Sequence, residues 1–497
     1  MLLILRGLLP CVEAIACAGV PLRHGGCAMV KRAKTMEALL AGATAASMIL
    51  AGCNSAVTAL TGGTAVTGNT TATSALMTDA PGDQVVALGL TVNGIRMYDA
   101  SGKYADVLTS PVTIEASHLD GVEEPLKAAL SIPQDTYTSA VITVSSPTVS
   151  YVDPATKKVV QATTVLASAT DTVTFSTPIT VTATSTPLCF DLMVGQSVAL
   201  SGTMATVTPV FDVRAIPLAS NPTNGGNGKL DDIHGAVVSV SGTTLILATP
   251  NATQVTITTN ASTVLQGFSS LSALTVGSLV DVDLVQQTSG TLLAARIHRV
   301  PGIAANELVG LVTATTGSPV TSFTQTVRQW IGPGTAGTIA GTSYTIAVAS
   351  GTTFATSANF GTLPSLPFTP VFTAGTLFAG QNVEVDASAV SGTSATAGTV
   401  TLVPQTIDGT VAAISSQGGF TAYTVTLNAG SSLATLTGAT SVVVFTTAST
   451  QMMNSASIVV GGAVRFNGLL FLDAGVLKLV CGGAMDGPGA PPPQKHG

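Results

Sequence analysis

Acidic side chains occur in pairs, two residues apart, on strands at equivalent positions of two predicted repeats. Asp281 and Asp283 form one pair, and Glu384 and Asp386 form the other. Because alternate residues of a strand point to the same side, each pair should lie on one outward face. Calcium prefers such oxygen ligands, so it could bridge these carboxylates if further oxygens completed the site. The third repeat carries Arg465 there, which breaks the pattern and leaves a plain solvated face as the alternative.

Two histidines suggest a second kind of metal site. His234 and His298 fall on the first and last strands of one predicted barrel, which lie side by side when a barrel closes. Imidazole nitrogens bind transition metals, so the two residues predict a metal pair. The alternative is a pair of edge histidines near the rim of the domain.

Motifs for known catalytic chemistries are absent from the sequence. It contains no Gly-x-Ser-x-Gly elbow, no Gly-x-x-x-x-Gly-Lys-Ser/Thr loop, no His-Glu-x-x-His and no Cys-x-x-Cys. We therefore expect a protein that is not an enzyme and that needs no cofactor, calcium aside. The formal charge is −7, from 18 basic and 25 acidic residues. An acidic chain without a basic cluster argues against nucleic acid as a partner.

The N-terminal region has the features of a secretory signal. A basic patch (Lys31, Arg32 and Lys34) precedes a short apolar run from Ala38 to Leu50. Small residues follow in Leu50-Ala51-Gly52-Cys53. A transmembrane helix with a chance cysteine is the alternative, but the run is about half of the ~20 residues that span a bilayer.

Leu50-Ala51-Gly52-Cys53 resembles the bacterial lipoprotein box. The resemblance implies cleavage after Gly52 and lipidation of Cys53, which would anchor the chain permanently to a membrane. Asn54 stands where aspartate commonly marks inner-membrane retention, so we expect export to the outer membrane rather than the inner one. Met29, just ahead of the basic patch, is a second candidate for the true start.

Composition predicts an all-β fold. Only 9% of the residues are charged although 46% are hydrophobic, and the hydrophobic residues alternate with Thr and Ser, as in half-buried strands. The sequence divides into a signal peptide (1–52), a Thr/Gly-rich tether (53–74), a β-sandwich (75–217), a linker (218–232), three β-barrel repeats (233–301, 305–404 and 405–481) and a disordered tail (482–497).

Two resemblances support this division. Met77-Thr78-Asp79-Ala80-Pro81, the corner Ile132–Tyr137 and Phe211-Asp212-Val213 resemble a domain-of-unknown-function family of bacterial lipoproteins, although Asp135 replaces its usual glycine. That resemblance implies an immunoglobulin-like or prealbumin-like β-sandwich and no activity. The repeats, best in His234–Leu245, are similar to a second uncharacterised family of small barrels and suggest OB-like closure.

Three local features complete the sequence predictions. Leu119–Leu130 predicts a helix, and Phe323–Pro370 predicts an insertion in the second barrel that contains Trp330, the only tryptophan. Cys189 and Cys481 could form a disulfide in an exported protein, or remain two buried thiols, which their assignment to different domains favours.

These observations leave three functional hypotheses. The leading one is a lipid-anchored, non-enzymatic module for binding, adhesion or scaffolding, whose partner is an unknown envelope protein or glycan. The second is a carbohydrate-binding lipoprotein that would use aromatic platforms such as Trp330. The third is a hydrolase whose carboxylates converge only in the folded chain.

Overall fold

The computed structural model describes residues 63–80, 82–119, 124–216, 229–249, 253–300, 306–331, 341–357, 363–452 and 458–486. These residues belong to one compact unit that runs from Ala59 to Gly497. The predicted signal peptide, Gly52 and Cys53 lie outside the described residues, as do most of the predicted linker and the last eleven positions of the predicted tail. Within the described ranges, no helix has the length and apolar character needed to cross a membrane.

The all-β prediction is confirmed, and thirteen strands build the first module. They are β1 (Thr70–Ala80), β2 (Val85–Asp99), β3 (Tyr104–Leu108), β4 (Val112–Glu115), β5 (Glu124–Pro133), β6 (Thr136–Val152), β7 (Val159–Gln161), β8 (Thr163–Leu166), β9 (Thr170–Thr180), β10 (Leu188–Met193), β11 (Val198–Ser201), β12 (Met204–Val207) and β13 (Phe211–Ala215), with the short helix α1 (Val194–Ser197) between β10 and β11.

Two sheets of this module pack face to face. One has the order β13-β10-β1-β5, and the other has the order β3-β2-β6-β7 with β4 and β9 at its sides. Alternation along β2 buries Leu88, Leu90 and Val92, because every second side chain of a strand points to one face. They share a core with Met77 and Phe190 of the other sheet.

Two sequence predictions for this module differ from the structure. The predicted helix Leu119–Leu130 is wrong, since β5 occupies Glu124–Pro133 and pairs antiparallel with β1. Its Leu126, Leu130 and Ile132 are buried, so pairing and burial override the local helix-forming composition. The predicted tether ends earlier than 74, because β1 begins at Thr70.

Three barrels follow. Barrel 1 contains β14 (Lys229–Ser241), β15 (Thr244–Ala248), β16 (Gln254–Thr258), β17 (Val264–Gln266), β18 (Leu279–Gln286) and β19 (Leu292–Arg299). Barrel 2 contains β20 (Asn306–Thr316), β21 (Ser322–Ile331), β22 (Thr342–Thr356), β23 (Asn382–Ser391) and β24 (Ser394–Leu402). Barrel 3 contains β25 (Gln405–Gln417), β26 (Phe420–Leu427), β27 (Ser441–Met452), β28 (Ala463–Asp473) and β29 (Val476–Asp486), with the helix α2 (Ser432–Thr437) between β26 and β27.

Barrels 2 and 3 close in the strand order first-second-third-fifth-fourth and back to the first. Barrel 1 closes in the equivalent order β14-β15-β16-β19-β18, with the short β17 as an additional strand beside β19. The third and fifth strands run parallel, as β22 with β24 and β27 with β29. In barrel 1 the closing contact is short, Ile257 and Thr258 of β16 against β19. This closed order is that of the predicted OB-like barrel and removes free sheet edges. β29 continues to Asp486, so barrel 3 extends into the predicted tail.

A glycine near the start of each barrel permits close strand packing. A Cβ atom added to Gly310 would lie 2.1 Å from the carbonyl oxygen of Thr326, and one on Gly409 would lie 2.2 Å from that of Thr426. At Gly235 the closest atom would be 3.0 Å away. The repeated glycine that begins each unit in the sequence is thus required by backbone contact, most strongly in barrels 2 and 3.

Barrels 2 and 3 share one hydrophobic core. Phe368, from the segment between β22 and β23, lies 5.5 Å from Phe445 and 6.0 Å from Phe471 between ring centroids. The predicted insertion Phe323–Pro370 is therefore shorter than expected, because most of that range forms β21 and β22. Its last residues are the part that joins the two barrels.

The two cysteines within the described residues are buried thiols in separate cores. Cys189 lies in β10, against the core of barrel 1. Cys481 lies in β29, in the core of barrel 3. They form no disulfide with each other, in agreement with the alternative of two buried thiols.

Candidate metal centre

Strand register brings three ionisable side chains of barrel 1 into one row. His234 on β14 lies opposite Asp281 on β18, and Asp281 lies opposite His298 on β19. Directly opposed residues of antiparallel strands hold their side chains about 5 Å apart on the same face. The row therefore follows from the pairing of β14, β18 and β19.

Barrel 2 presents three carboxylates at the matching place. Glu307 on β20 lies opposite Asp386 on β23, and Glu384 lies two residues before Asp386, opposite Val309. The spacing of two places Glu384 and Asp386 on the same side of their strand. Glu384 thus has an apolar residue where Asp281 has a histidine.

The two groups meet at the junction of the barrels. His234 Nδ1 lies 2.9 Å from Asp281 Oδ1 and 2.6 Å from Glu307 Oε1, and the second of these contacts crosses from barrel 1 to barrel 2. His298 Nδ1 lies 3.0 Å from Asp281 Oδ2. The Glu307 side chain is only 1% exposed and that of His234 is 11% exposed. The junction is a largely buried set of two imidazoles and four carboxylates.

Electrostatics divides the carboxylates into two classes. Burial alone would raise the pKa of Asp281, but the adjacent His234 and His298 outweigh it and hold that pKa well below its usual range. The pKa of Glu384 is raised well above its usual value by burial and by the charges of Glu307 and Asp281. The same causes raise the pKa of Asp386 to about 7. The junction therefore holds more potential negative charge than its histidines neutralise.

One nitrogen and two carboxylate oxygens converge in this set. The ligand atoms that His234, Glu307 and Glu384 offer all lie within 4.8 Å of one another. A mixed imidazole and carboxylate set is typical of zinc and of other divalent transition metals. The other chemistry open to the same groups is proton sharing between the carboxylates and the histidines.

The sequence-predicted metal ligands are only partly brought together. Asp281, Glu384 and Asp386 join the cluster, but Asp283 forms an ion pair with Arg296, at 2.7 Å between Oδ2 and Nε. The sequence predicts calcium pairs on outward faces of separate barrels, whereas three of the four residues lie half-buried at a junction between barrels.

The two predicted histidines reach the same cluster, and one member was missed. His234 and His298 do not face each other as a pair, because Asp281 lies between them. Glu307 was not predicted, since it is a single acidic residue at the start of a strand with no spaced partner. A search for acidic residues just ahead of the repeat glycine Gly310 would have found it.

A second polar junction lies between the sandwich and barrel 3. A cavity of about 190 Å³ there is lined by Asp83, Asp408, Asn428 and Arg465, among others. Arg465 Nε donates to Asp408 Oδ1 at 2.8 Å, and Asn428 Nδ2 donates to Asp83 Oδ2 at 3.3 Å. Burial, and then the charge of Asp408, raise the pKa of Asp83 to about 7.

Trp330 does not offer the open ring that a sugar platform needs. Its side chain is half-buried against the core of barrel 2, with the indole N–H donating to Asn306 Oδ1 at 3.2 Å. The ring packs edge-on against Tyr344 with centroids 5.8 Å apart. Both features assign Trp330 to packing.

Comparison with known proteins identifies one segment. Residues 234–298 match a family model described as a domain of unknown function (DUF5666). The matched range corresponds to barrel 1, from His234 to His298. No curated protein matches the chain.

Proposed function

We propose that this chain is a lipid-anchored protein of the bacterial cell envelope that acts as a non-enzymatic binding, adhesion or scaffolding module. Cys53 would carry the lipid after cleavage behind Gly52, and the outer membrane is the preferred location. Its partner would be an envelope protein or a glycan. Barrel 1 falls within an uncharacterised domain family, so the match adds no activity.

The observation that supports a scaffold most is the continuity of the cores between modules. Leu76 and Cys189 of the sandwich pack in the core of barrel 1, where Gln286 Nε2 of the barrel also donates to Ser185 Oγ of the sandwich at 2.7 Å. Barrels 2 and 3 share a further core. Buried contacts of this kind hold neighbouring modules in fixed positions, as a scaffold requires.

Metabolic labelling with an alkyne analogue of palmitate tests the anchor. Wild-type protein should be labelled and recovered in the membrane fraction. The Cys53→Ala variant should carry no label and should be absent from that fraction. The matched control is Cys481→Ala, which removes a buried thiol of the mature chain and should keep the label. Equal labelling of wild type and Cys53→Ala would contradict the proposal.

A hydrolase assay tests the non-enzymatic part. The purified protein should not cleave ester or envelope-glycan substrates above the rate of a His234→Gln variant. An activity that disappears when His234 or Glu384 is replaced would show instead that the junction carboxylates perform acid–base chemistry.

A further inference from the structure

We propose that the junction between barrels 1 and 2 binds one divalent transition-metal ion of the zinc class, with His234, Glu307 and Glu384 as ligands. The ion would connect the two barrels, since His234 comes from the first and the two glutamates come from the second. This inference does not depend on the lipid anchor, so each can fail without the other.

Comparison of the three barrels shows how the site arises. The residue before the repeat glycine forms a cross-strand pair with a residue of β18 in barrel 1, β23 in barrel 2 and β28 in barrel 3. In barrel 3 this pair is Asp408 and Arg465, joined at 2.8 Å. In barrel 1 it is His234 and Asp281, joined at 2.9 Å. Both pairs oppose a base to an acid.

Barrel 2 has no acid–base pair at the equivalent position. Its pair is Val309 and Glu384, so the glutamate faces an apolar side chain across the strands. Among the described residues, the charge that favours ionised Glu384 is that of His234 from the neighbouring barrel. A buried carboxylate without a partner in its own barrel is costly unless a cation neutralises it.

The remaining carboxylates add to the negative charge that a cation would neutralise. Glu307 and Asp386 lie close enough to raise the pKa of Glu384, and Asp386 Oδ1 is buried with no hydrogen bond. Four carboxylates face two imidazoles, so with all four carboxylates ionised two negative charges would remain even when both histidines are protonated. One dication bound to the deprotonated ligands would relieve this repulsion without moving the strands apart.

The donor set selects the metal class. Calcium takes six to eight oxygen ligands, whereas the junction offers an imidazole nitrogen beside carboxylates. Zinc is usually coordinated by four such ligand atoms, at metal–ligand distances of about 2.0–2.2 Å. The three converging atoms and Asp281 Oδ1, which lies 2.9 Å from His234 Nδ1, supply four donors once small rotations bring them to a common centre.

Calorimetric titration of the purified, untagged protein with zinc chloride tests the proposal at pH 7.5 after removal of bound metal with EDTA. We expect one zinc ion per chain, and no comparable binding of calcium chloride. Glu384→Gln and Glu307→Gln should each weaken zinc binding by more than about 100-fold, beyond the loss that follows removal of an outer-shell partner. The matched control is Asp83→Asn, which neutralises a buried carboxylate at the other junction and should bind zinc like the wild type.

A folding measurement separates loss of ligand from loss of structure. Glu384→Gln removes a repelled charge and keeps the side chain's shape, so its metal-free melting temperature should equal or exceed that of the wild type. Zinc should raise the melting temperature of the wild type and leave that of Glu384→Gln unchanged. Stoichiometric zinc binding by both glutamine variants, no zinc binding by the wild type, or calcium binding as tight as zinc would each overturn the proposal.

Discussion

His118 should make the stability of the sandwich depend on pH in the alkaline range. Its Nδ1 lies 3.1 Å from Glu115 Oε2, and its Nε2 lies 3.1 Å from Glu124 Oε2. All three side chains are at most 8% exposed. Burial alone would lower the pKa of His118, but hydrogen bonds and charges of the two glutamates outweigh burial and raise it to about 9.

The magnitude follows from proton linkage. A folded-state pKa of about 9 against an unfolded value of 6.5 corresponds to about 3 kcal/mol of stability. Because the folded pKa of His118 is raised, this contribution is complete below pH 6.5 and is lost as the pH rises through 9. His118→Leu should remove this stabilising contribution and also leave the two buried glutamates without their shared partner. The free energy of unfolding should therefore fall by roughly 3–5 kcal/mol at pH 6.

Urea unfolding followed by tyrosine circular dichroism, at pH values from 6 to 9.5, measures this effect. The wild type should lose about 3 kcal/mol of unfolding free energy across the range, and His118→Leu should lose little. The matched control His496→Gln should show the same pH dependence as the wild type. A wild-type stability that is constant across this range, or an equal pH slope in His118→Leu, would refute the reasoning.

Three further predictions concern packing within the barrels and charge at the junction of the sandwich with barrel 3. Gly310→Ala should destabilise the protein by about 3 kcal/mol or more, and Gly235→Ala by about 1 kcal/mol. The reason is that the added Cβ would lie 2.1 Å from a backbone oxygen at Gly310 and 3.0 Å from one at Gly235. Equal melting temperatures of the two variants would contradict this prediction. Arg465→Met leaves buried Asp408 without the ion pair made at 2.8 Å and should lower the free energy of unfolding in urea by roughly 3–5 kcal/mol. The double variant Arg465→Met with Asp408→Leu should recover most of that free energy. No recovery would show that the loss of the ion pair is not the cause. The pKa of Asp83 is raised to about 7 in the folded state, so the protein loses stability as the pH rises from 4 to 7. Asp83→Asn should exceed the wild type by roughly 1–2 kcal/mol at pH 8 and by clearly less at pH 5. A difference of the same size at both pH values would exclude titration of Asp83 as the cause.

The repeats were predictable from the sequence because backbone contact dictates their glycines. At Gly235, Gly310 and Gly409 an added Cβ would lie 2.1–3.0 Å from a backbone oxygen of the second strand, and valine alternation marks the strands around these glycines. The predicted helix Leu119–Leu130 was wrong for the opposite reason. Its helix-forming residues are local signals, while β5 is fixed by pairing with a strand about 50 positions earlier, and such pairing has no local signature.

The candidate site was predictable in parts but not as a unit. The spacing of two identified Asp281 with Asp283, and Glu384 with Asp386, as same-face pairs. Strand order predicted that His234 lies near His298. The sequence does not say which outward face of one barrel meets another barrel. The position of Glu307 ahead of Gly310 could have drawn attention to it, but its contact with His234 is made across a junction and not along a strand, so the sequence did not connect the two residues.

X-ray absorption at the zinc edge on stoichiometrically loaded protein tests the metal centre most directly. We predict a first shell of four light atoms at about 2.0–2.2 Å, with the outer scattering of one imidazole that disappears in His234→Gln. A shell without imidazole scattering, or a wild-type spectrum that His234→Gln reproduces, would contradict the assignment of the junction between barrels 1 and 2 as the site.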